Sequence, residues 1–271
     1  MKKWIYRIIQ LILVLIMLFS AYKIVRYLMD RNKADTVYEK LADEIKDISA
    51  PSVETIEPED PKTSQKEVQK KQEKIHYQAI MSHLVSKNPD SVAYIEIPGA
   101  KTSYPVVQTT DNDYYLNRGF DKEWNVQGTI FMDKNNQKDL KDQNTVLYGH
   151  AMYYGTEMFG IVRDFLKQDY VDTSPQEITL IHEDGVYHYQ IFSVARLSEE
   201  APYRLPNRDP DEHVAFLQDM LDQSIVYFRF SRAFTKEDKI LTLSTCTNDN
   251  NDEDRYAIFA ILKEVEGDEA Q

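Results

Sequence analysis

The 271-residue chain has a single cysteine, Cys246, only eight glycines and two tryptophans. One cysteine excludes an intramolecular disulfide and a cysteine-rich zinc centre. So few glycines, beside 18 Tyr and 11 Phe, exclude a collagen-like or low-complexity chain. Positive charge is also short: 32 Lys and Arg face 45 Asp and Glu, for a formal net charge of −13. A nucleic-acid binder needs a basic face to neutralise phosphates, so no nucleic-acid partner is expected. The 42% hydrophobic content excludes disorder throughout. No internal repeat is visible.

What the chain does have is an apolar start. Lys2, Lys3 and Arg7 precede an uncharged run from Ile8 to Tyr22 whose one strongly polar member is Gln10. That run falls short of the roughly 20 residues a spanning helix needs. Arg7 and Lys23 can snorkel, however, and Ile24, Val25, Tyr27 and Leu28 extend the apolar character. Trp4, Tyr6, Tyr22 and Tyr27 stand where interfacial aromatics belong, giving a span from Trp4 to Leu28. Phe19-Ser20-Ala21 puts a bulky residue where signal cleavage wants a small one. Residues 1–29 therefore read as an uncleaved anchor in a lipid bilayer. Lys23, Arg26, Arg31 and Lys33 on the far flank balance the leading cations, so charge alone leaves the orientation open.

Residues 30–74 read as a charged stalk. Val37, Leu41, Ile45 and Ile48 suggest a short amphipathic helix over 35–49, and Pro51, Pro58 and Pro61 among acids suggest an extended linker. From 75 to 264 the pattern is globular. A helix is expected over 75–85, and short strands over 92–97, 104–108, 126–132, 145–148, 177–182, 186–194, 240–244 and 256–262. Glu183-Asp184-Gly185 marks a hairpin. Further helices are expected over 158–166 and 211–221, the second opened by Asp209-Pro210-Asp211. Many short strands with few helices indicate a mostly β fold closed into a barrel. Residues 265–271 read as an acidic, frayed tail.

A lone cysteine is ordinarily a small buried apolar residue. Cys246, however, ends the strand Ile240-Leu-Thr-Leu-Ser-Thr245 and precedes the polar loop Thr247-Asn-Asp-Asn-Asn251, where a nucleophile is reachable. Nine residues on, Arg255 opens the next strand. Antiparallel pairing of the two would bring its guanidinium near the sulfur, to stabilise a thiolate or an oxyanion. A thiol with its ordinary pKa of about 8.5 needs a proton partner. His76 and His83 lie two helical turns apart, too far to share a metal ion. His182 and His188 flank the hairpin and read as solvated or strand-facing; His213 opens a helix. His150 ends the strand 145–148 after Gly149, a position like that of Cys246. From the residues alone, convergence of Cys246, His150 and Arg255 is an open expectation.

Several separated motifs then resemble one family in order. Thr242-Leu-Ser-Thr-Cys246 with Arg255-Tyr256 resembles the signature of sortases, and Leu147-Tyr-Gly-His150-x-Met152 with Gly155, Met158 and Phe159 their histidine motif. Tyr104-Pro-Val-Val-Gln108, Asp111-Asn-Asp-Tyr-Tyr-Leu116, Gly128-Thr-Ile-Phe-Met-Asp133 and the helix over 211–221 resemble the class B branch. The resemblance covers about 75–263. It implies a sortase β-barrel with an N-terminal helix and a helix before the cysteine strand. It also implies a single-pass protein of the Gram-positive cell membrane, N-terminus cytoplasmic and catalytic domain outside. Its implied activity is transpeptidation without cofactor or metal, with Cys246 as nucleophile, His150 as general acid and base, and Arg255 stabilising substrate and oxyanion. The partners would be surface or pilin proteins with a C-terminal sorting signal, and an amine from a peptidoglycan precursor or a pilin lysine.

Two other readings of the site stand beside this one: a membrane-anchored cysteine protease or amidase with water as acceptor, and a binding module with a structural cysteine. Asp249, Asp252, Glu253 and Asp254 form an acidic loop that lacks the EF-hand pattern and reads as solvated rather than calcium-binding. Tyr153, Tyr154, Tyr187 and Tyr189 read as barrel packing before a peptide groove. Ala151 offers no polar side chain and receives no role.

Overall fold

The computed structural model describes residues 2–49, 65–151, 155–246 and 254–267. Eight strands close a barrel in the order β1-β2-β3-β4-β7-β8-β6-β5. They are β1 (Ser91–Glu96), β2 (Tyr104–Val107), β3 (Ile130–Met132), β4 (Asn144–Tyr148), β5 (Glu177–His182), β6 (Gly185–Ser198), β7 (Ile240–Cys246) and β8 (Asp254–Gly267). Pairs β2–β3 and β4–β7 are parallel and the others antiparallel, so the sheet is mixed. Closure leaves no unpaired strand edge.

The late apolar strands alternate between two cores, as a two-residue period requires. On β8, Ile258 and Ala260 enter the main core, while Ala257, Phe259 and Ile261 enter a second one with Phe192, Leu217 and Met220. Leu217 and Met220 belong to α4 (Pro210–Asp222), the helix that precedes the cysteine strand. Burial on both faces explains why β8 reads as an uninterrupted apolar run.

The first helix, α1 (Lys2–Ser49), is continuous and roughly 70 Å long. Among the described residues it is the one helix long and apolar enough to cross a membrane, and its apolar part is exposed. The helix does not stop at the expected anchor boundary. Ala34, Tyr38, Leu41, Ala42 and Ile45 are buried against the barrel, so this part of the expected stalk is core. The Tyr38 hydroxyl donates to the Gly128 carbonyl and lies 3.0 Å from Thr129 Oγ1; Lys101 pairs with Asp35 and Glu39, each at 3.0 Å. The second helix, α2 (Gln65–Lys87), packs beside it, with Glu44 of α1 between His83 at 3.1 Å and Lys87 at 2.8 Å. The linker prolines at 51, 58 and 61 lie outside the described residues.

Other boundaries moved for physical reasons. The strand expected over 126–132 begins only at Ile130, because Asn125 to Gly128 make a turn in which the Gln127 N–H donates to Asn125 Oδ1 and Gly128 has φ +63°. A β-carbon at Gly128 would come 2.5 Å from the Tyr115 carbonyl oxygen. The expected helix over 158–166 is a 3₁₀ turn, Phe159–Arg163, followed by turns up to the short helix α3 (Gln168–Thr173). Residues 265–267, expected in the tail, are the end of β8 paired with β6.

Asn144, fully buried, braces the seam on which the site is built. Its amide donates to the Tyr203 and Leu205 carbonyls at 2.8 and 3.1 Å, and its oxygen accepts from Thr242 Oγ1 at 2.7 Å. Asn144→Ala leaves all three groups without this partner and is expected to destabilise the protein by about 1–3 kcal/mol, read as a lower thermal midpoint of the full chain in detergent.

Candidate active site

The parallel pairing of β4 with β7 sets the site's geometry. It aligns Tyr148 with Ser244, and the Gly149 N–H donates to the Ser244 carbonyl at 3.3 Å. Continuing that register carries residues 149–150 alongside 245–246, on strands about 4.8 Å apart. On the other side of β7, the antiparallel register makes Cys246 and Arg255 direct partners. Directly opposed residues in such a ladder have Cα atoms about 5 Å apart. The backbone of Cys246 is described and its side chain lies outside the described residues. His150 and Arg255 line one cleft of about 320 Å³, with Thr245, Ser244, Gly149, Leu116 and Glu199 among the other walls. The topology therefore gathers the three expected site residues from two separate strand ends and a strand start.

His150 Nε2 lies 2.7 Å from the Leu116 carbonyl oxygen. A carbonyl only accepts, so Nε2 carries a hydrogen and Nδ1 is the nitrogen at which a proton is gained or lost. Leu116 is held by a 3₁₀ turn, Tyr114–Asn117, whose start is tied by Asp111 Oδ1 accepting from the Asp113 and Tyr114 N–H groups at 2.8 and 2.7 Å. Tyr115 below it is buried and bonds Asp90 and Asn88. Behind the cleft, the Tyr148 hydroxyl donates to Asp133 at 2.7 Å. Burial, then the Asp133 charge, pushes that phenol far above its ordinary range and keeps it a neutral donor.

The Arg255 guanidinium donates to Glu199 Oε2 at 2.5 Å and to the Asp254 carbonyl at 2.9 Å. Its side chain is 18% exposed and that of Glu199 47%. Arg204, another cleft residue, donates to the Glu199 carbonyl and lies over the Tyr203 ring. Thr245, next to Cys246, is buried and its Oγ1 has no hydrogen-bond partner. Sequence reasoning missed Leu116, Glu199, Arg204 and Thr245 as site residues. A signal for Glu199 existed: β6 runs to Ser198, opposite Asp254, so the next side chain falls beside Arg255.

The remaining histidines are structural in position. His182 is buried, not solvated, and its Nδ1 accepts from the Asp184 N–H at 3.3 Å. His188 lies between Glu177 and Glu266, at 3.2 and 3.4 Å. His213 is buried in the first turn of α4, donates to the Asp238 carbonyl at 2.7 Å, and is held below its ordinary pKa by burial. Tyr189 is fully packed in the barrel core and Tyr187 packs against it. Tyr153, Tyr154, Asp249, Asp252 and Glu253 lie outside the described residues. Asp254, the described member of the acidic loop, accepts from Arg196 Nε at 2.7 Å. Among the described residues no cluster of three His, Cys, Asp or Glu could hold a metal ion.

Comparison with known proteins agrees with this geometry. A family described as the sortase domain matches residues 95–263. Sortase B of Staphylococcus aureus is 30% identical over 240 residues, 88% of each chain. Sortase B of Listeria monocytogenes is 32% identical over 168 residues, 60% of this chain and 65% of its own. Among solved structures, the Staphylococcus aureus sortase B–substrate complex superposes with a TM-score of 0.72 at 26% identity, covering 87% of this chain and 99% of that one. Sortase B of Clostridium perfringens gives 0.60 at 28% identity, covering 68% and 99%. The chain belongs to the class B branch of the sortase family, and its activity is that of a cysteine transpeptidase.

Proposed function

We propose that this transpeptidase, anchored in the cell membrane by α1 with its N-terminus cytoplasmic and its barrel outside, cleaves the C-terminal sorting signal of exported proteins and joins them to an amine. The observation that carries the reading is the register pair Cys246–Arg255 at the mouth of the cleft that also holds His150. The Cys246 sulfur attacks the carbonyl carbon of the scissile bond, forming an S–C bond and a tetrahedral oxyanion. Arg255 stabilises that oxyanion and holds the substrate backbone. The C–N bond then breaks, and His150 Nδ1 gives its proton to the leaving amine. An acceptor amine attacks the thioacyl carbon, His150 takes its proton, and the sulfur leaves. One amide replaces another, so no nucleotide is spent. The acceptor is an amine of a cell-wall precursor or a pilin lysine. Solved class B relatives titled as complexes with a substrate and with a glycine tripeptide support both halves of the scheme.

The test is an acceptor assay: the full chain, C-terminal peptides of exported proteins that contain a Thr, and triglycine. Mass spectrometry is expected to show a new amide carrying triglycine in excess over free acid. Free acid alone, with triglycine at saturation, would make the enzyme a hydrolase and overturn the transfer step.

A further inference from the structure

The barrel holds a nearly buried ion pair that the reaction as written does not use. Arg31, two residues past the exposed apolar run of α1, places Nη2 2.8 Å from Glu157 Oε1. The two side chains are 20% and 6% exposed, and the other carboxylate oxygen, Oε2, is buried with no hydrogen-bond partner. The backbone of the loop is shaped around this pair. Gly155 has φ +98°, and a β-carbon there would collide with Glu157 Oε2 and come 2.7 Å from Arg31 Nη2.

The same loop returns directly to His150. The Phe159 N–H donates to the His150 carbonyl at 3.0 Å, and Ala151 bridges Met158. Met158 is buried in a left-handed conformation, φ +50°, that a side chain other than glycine adopts only when its surroundings impose it. Its N–H donates to the Tyr104 hydroxyl at 3.0 Å, and Tyr104 carries the ring of Tyr38 from α1 edge-on at 5.5 Å. Two independent contacts thus run from the first turns of α1 past the apolar run to the residues that fix the His150 backbone. One is ionic, through Arg31 and Glu157. The other is aromatic, through Tyr38 and Tyr104.

We propose that Arg31 and Glu157 are positioning residues for the transfer reaction: the emerging end of the anchor helix clamps the 155–158 segment and so sets the placement of the His150 ring. A ring displaced by an ångström loses proton transfer far more than substrate binding, because proton transfer depends on alignment. The anchor is then part of the catalytic geometry as well as a tether. This rests on the reading of His150 as the acid and base.

The experiment is the peptide–triglycine assay on the full chain in detergent, with hydrogen exchange followed in parallel. Arg31→Ala is expected to lower kcat about 10-fold or more with KM within about twofold of wild type. Arg31→Lys is expected to restore part of the loss, since it returns the charge without the planar fork. Exchange should speed up in residues 155–160 while residues 240–246 keep wild-type protection. If Arg31→Ala fails to fold, Arg31→Lys and Glu157→Gln carry the test, each with an intermediate kcat and an unchanged KM. Wild-type kcat in these variants, or a fall in kcat that tracks lost protection across the whole barrel, overturns the proposal. His150→Ala, run alongside, separates the two readings. If it turns over like wild type, the role of His150 fails; if it is inactive while Arg31→Ala is normal, the clamp alone fails.

Discussion

Cys246→Ala, made in the full-length chain, is expected to abolish both the thioacyl intermediate and amide formation, leaving no turnover above the peptide's own background. The reason is stoichiometric: the acyl group must be held covalently between the leaving of one amine and the arrival of another, and alanine has no atom to hold it. Cys246→Ser should be almost as inactive, because its hydroxyl lacks the accessible anion that a thiol near its pKa of about 8.5 supplies. Mass spectrometry of the acid-quenched enzyme checks this directly: wild type gains the mass of the acyl fragment and the variants gain nothing. A methanethiosulfonate reagent should label wild type and stop its turnover at one equivalent. A labelled wild-type enzyme that still forms the amide would exclude the sulfur as nucleophile. An alanine variant that still does so would return the chain to the binding-module or non-cysteine classes.

The seam that supports this expectation was partly legible in the primary structure. Both cleft strands read as apolar runs ending in polar loops, and a side chain at the end of such a run sits at a barrel's rim. That is a local signal, and it sufficed to single out Cys246, His150 and Arg255. The antiparallel return from β7 to β8 was also local, since the connection is short. What residues 144–148 and 240–244 could not reveal is that their strands are parallel neighbours, because some ninety residues of other structure separate them in the chain. That pairing, which brings residue 150 alongside residue 246, rested on family resemblance until the fold supplied the register.

Other features were illegible for different reasons. The Leu116 carbonyl that fixes the His150 tautomer is a backbone group, and its usefulness depends on a 3₁₀ turn that no side-chain pattern announces. The Val37, Leu41, Ile45 and Ile48 stripe was correctly periodic, but its charged surroundings suggested a solvated stalk. Tyr38, Ala34 and Ala42 broaden that stripe into a docking face, and small or hydroxyl-bearing residues carry little weight in a hydrophobic count. The strand expected over 126–132 failed because Gly128 requires a left-handed conformation, which is invisible until Tyr115 is placed against it. In each instance the missing information was tertiary.

The second large effect concerns the cation. Arg255→Ala is expected to lower kcat/KM by about 10²–10³-fold, the range for losing one oxyanion donor. Arg255→Lys should recover only part, because a point charge cannot bond a carboxylate, a main-chain carbonyl and a developing oxyanion in one plane. Glu199 tests what the guanidinium is doing. Its carboxylate is 47% exposed, so water screens it and the pair contributes little to stability. It nonetheless accepts from Arg255 at 2.5 Å and sets the direction of the fork. Glu199→Ala is therefore expected to change kcat/KM only a few-fold, with no loss of thermal midpoint, while making the rate more sensitive to salt. If Glu199 acts solely through Arg255, adding Glu199→Ala to Arg255→Ala should produce no further change, a fully non-additive cycle. Additive losses would mean that Glu199 meets the substrate itself. An Arg255→Ala enzyme with wild-type kcat/KM would remove the guanidinium from the mechanism and leave the oxyanion to backbone N–H donors alone.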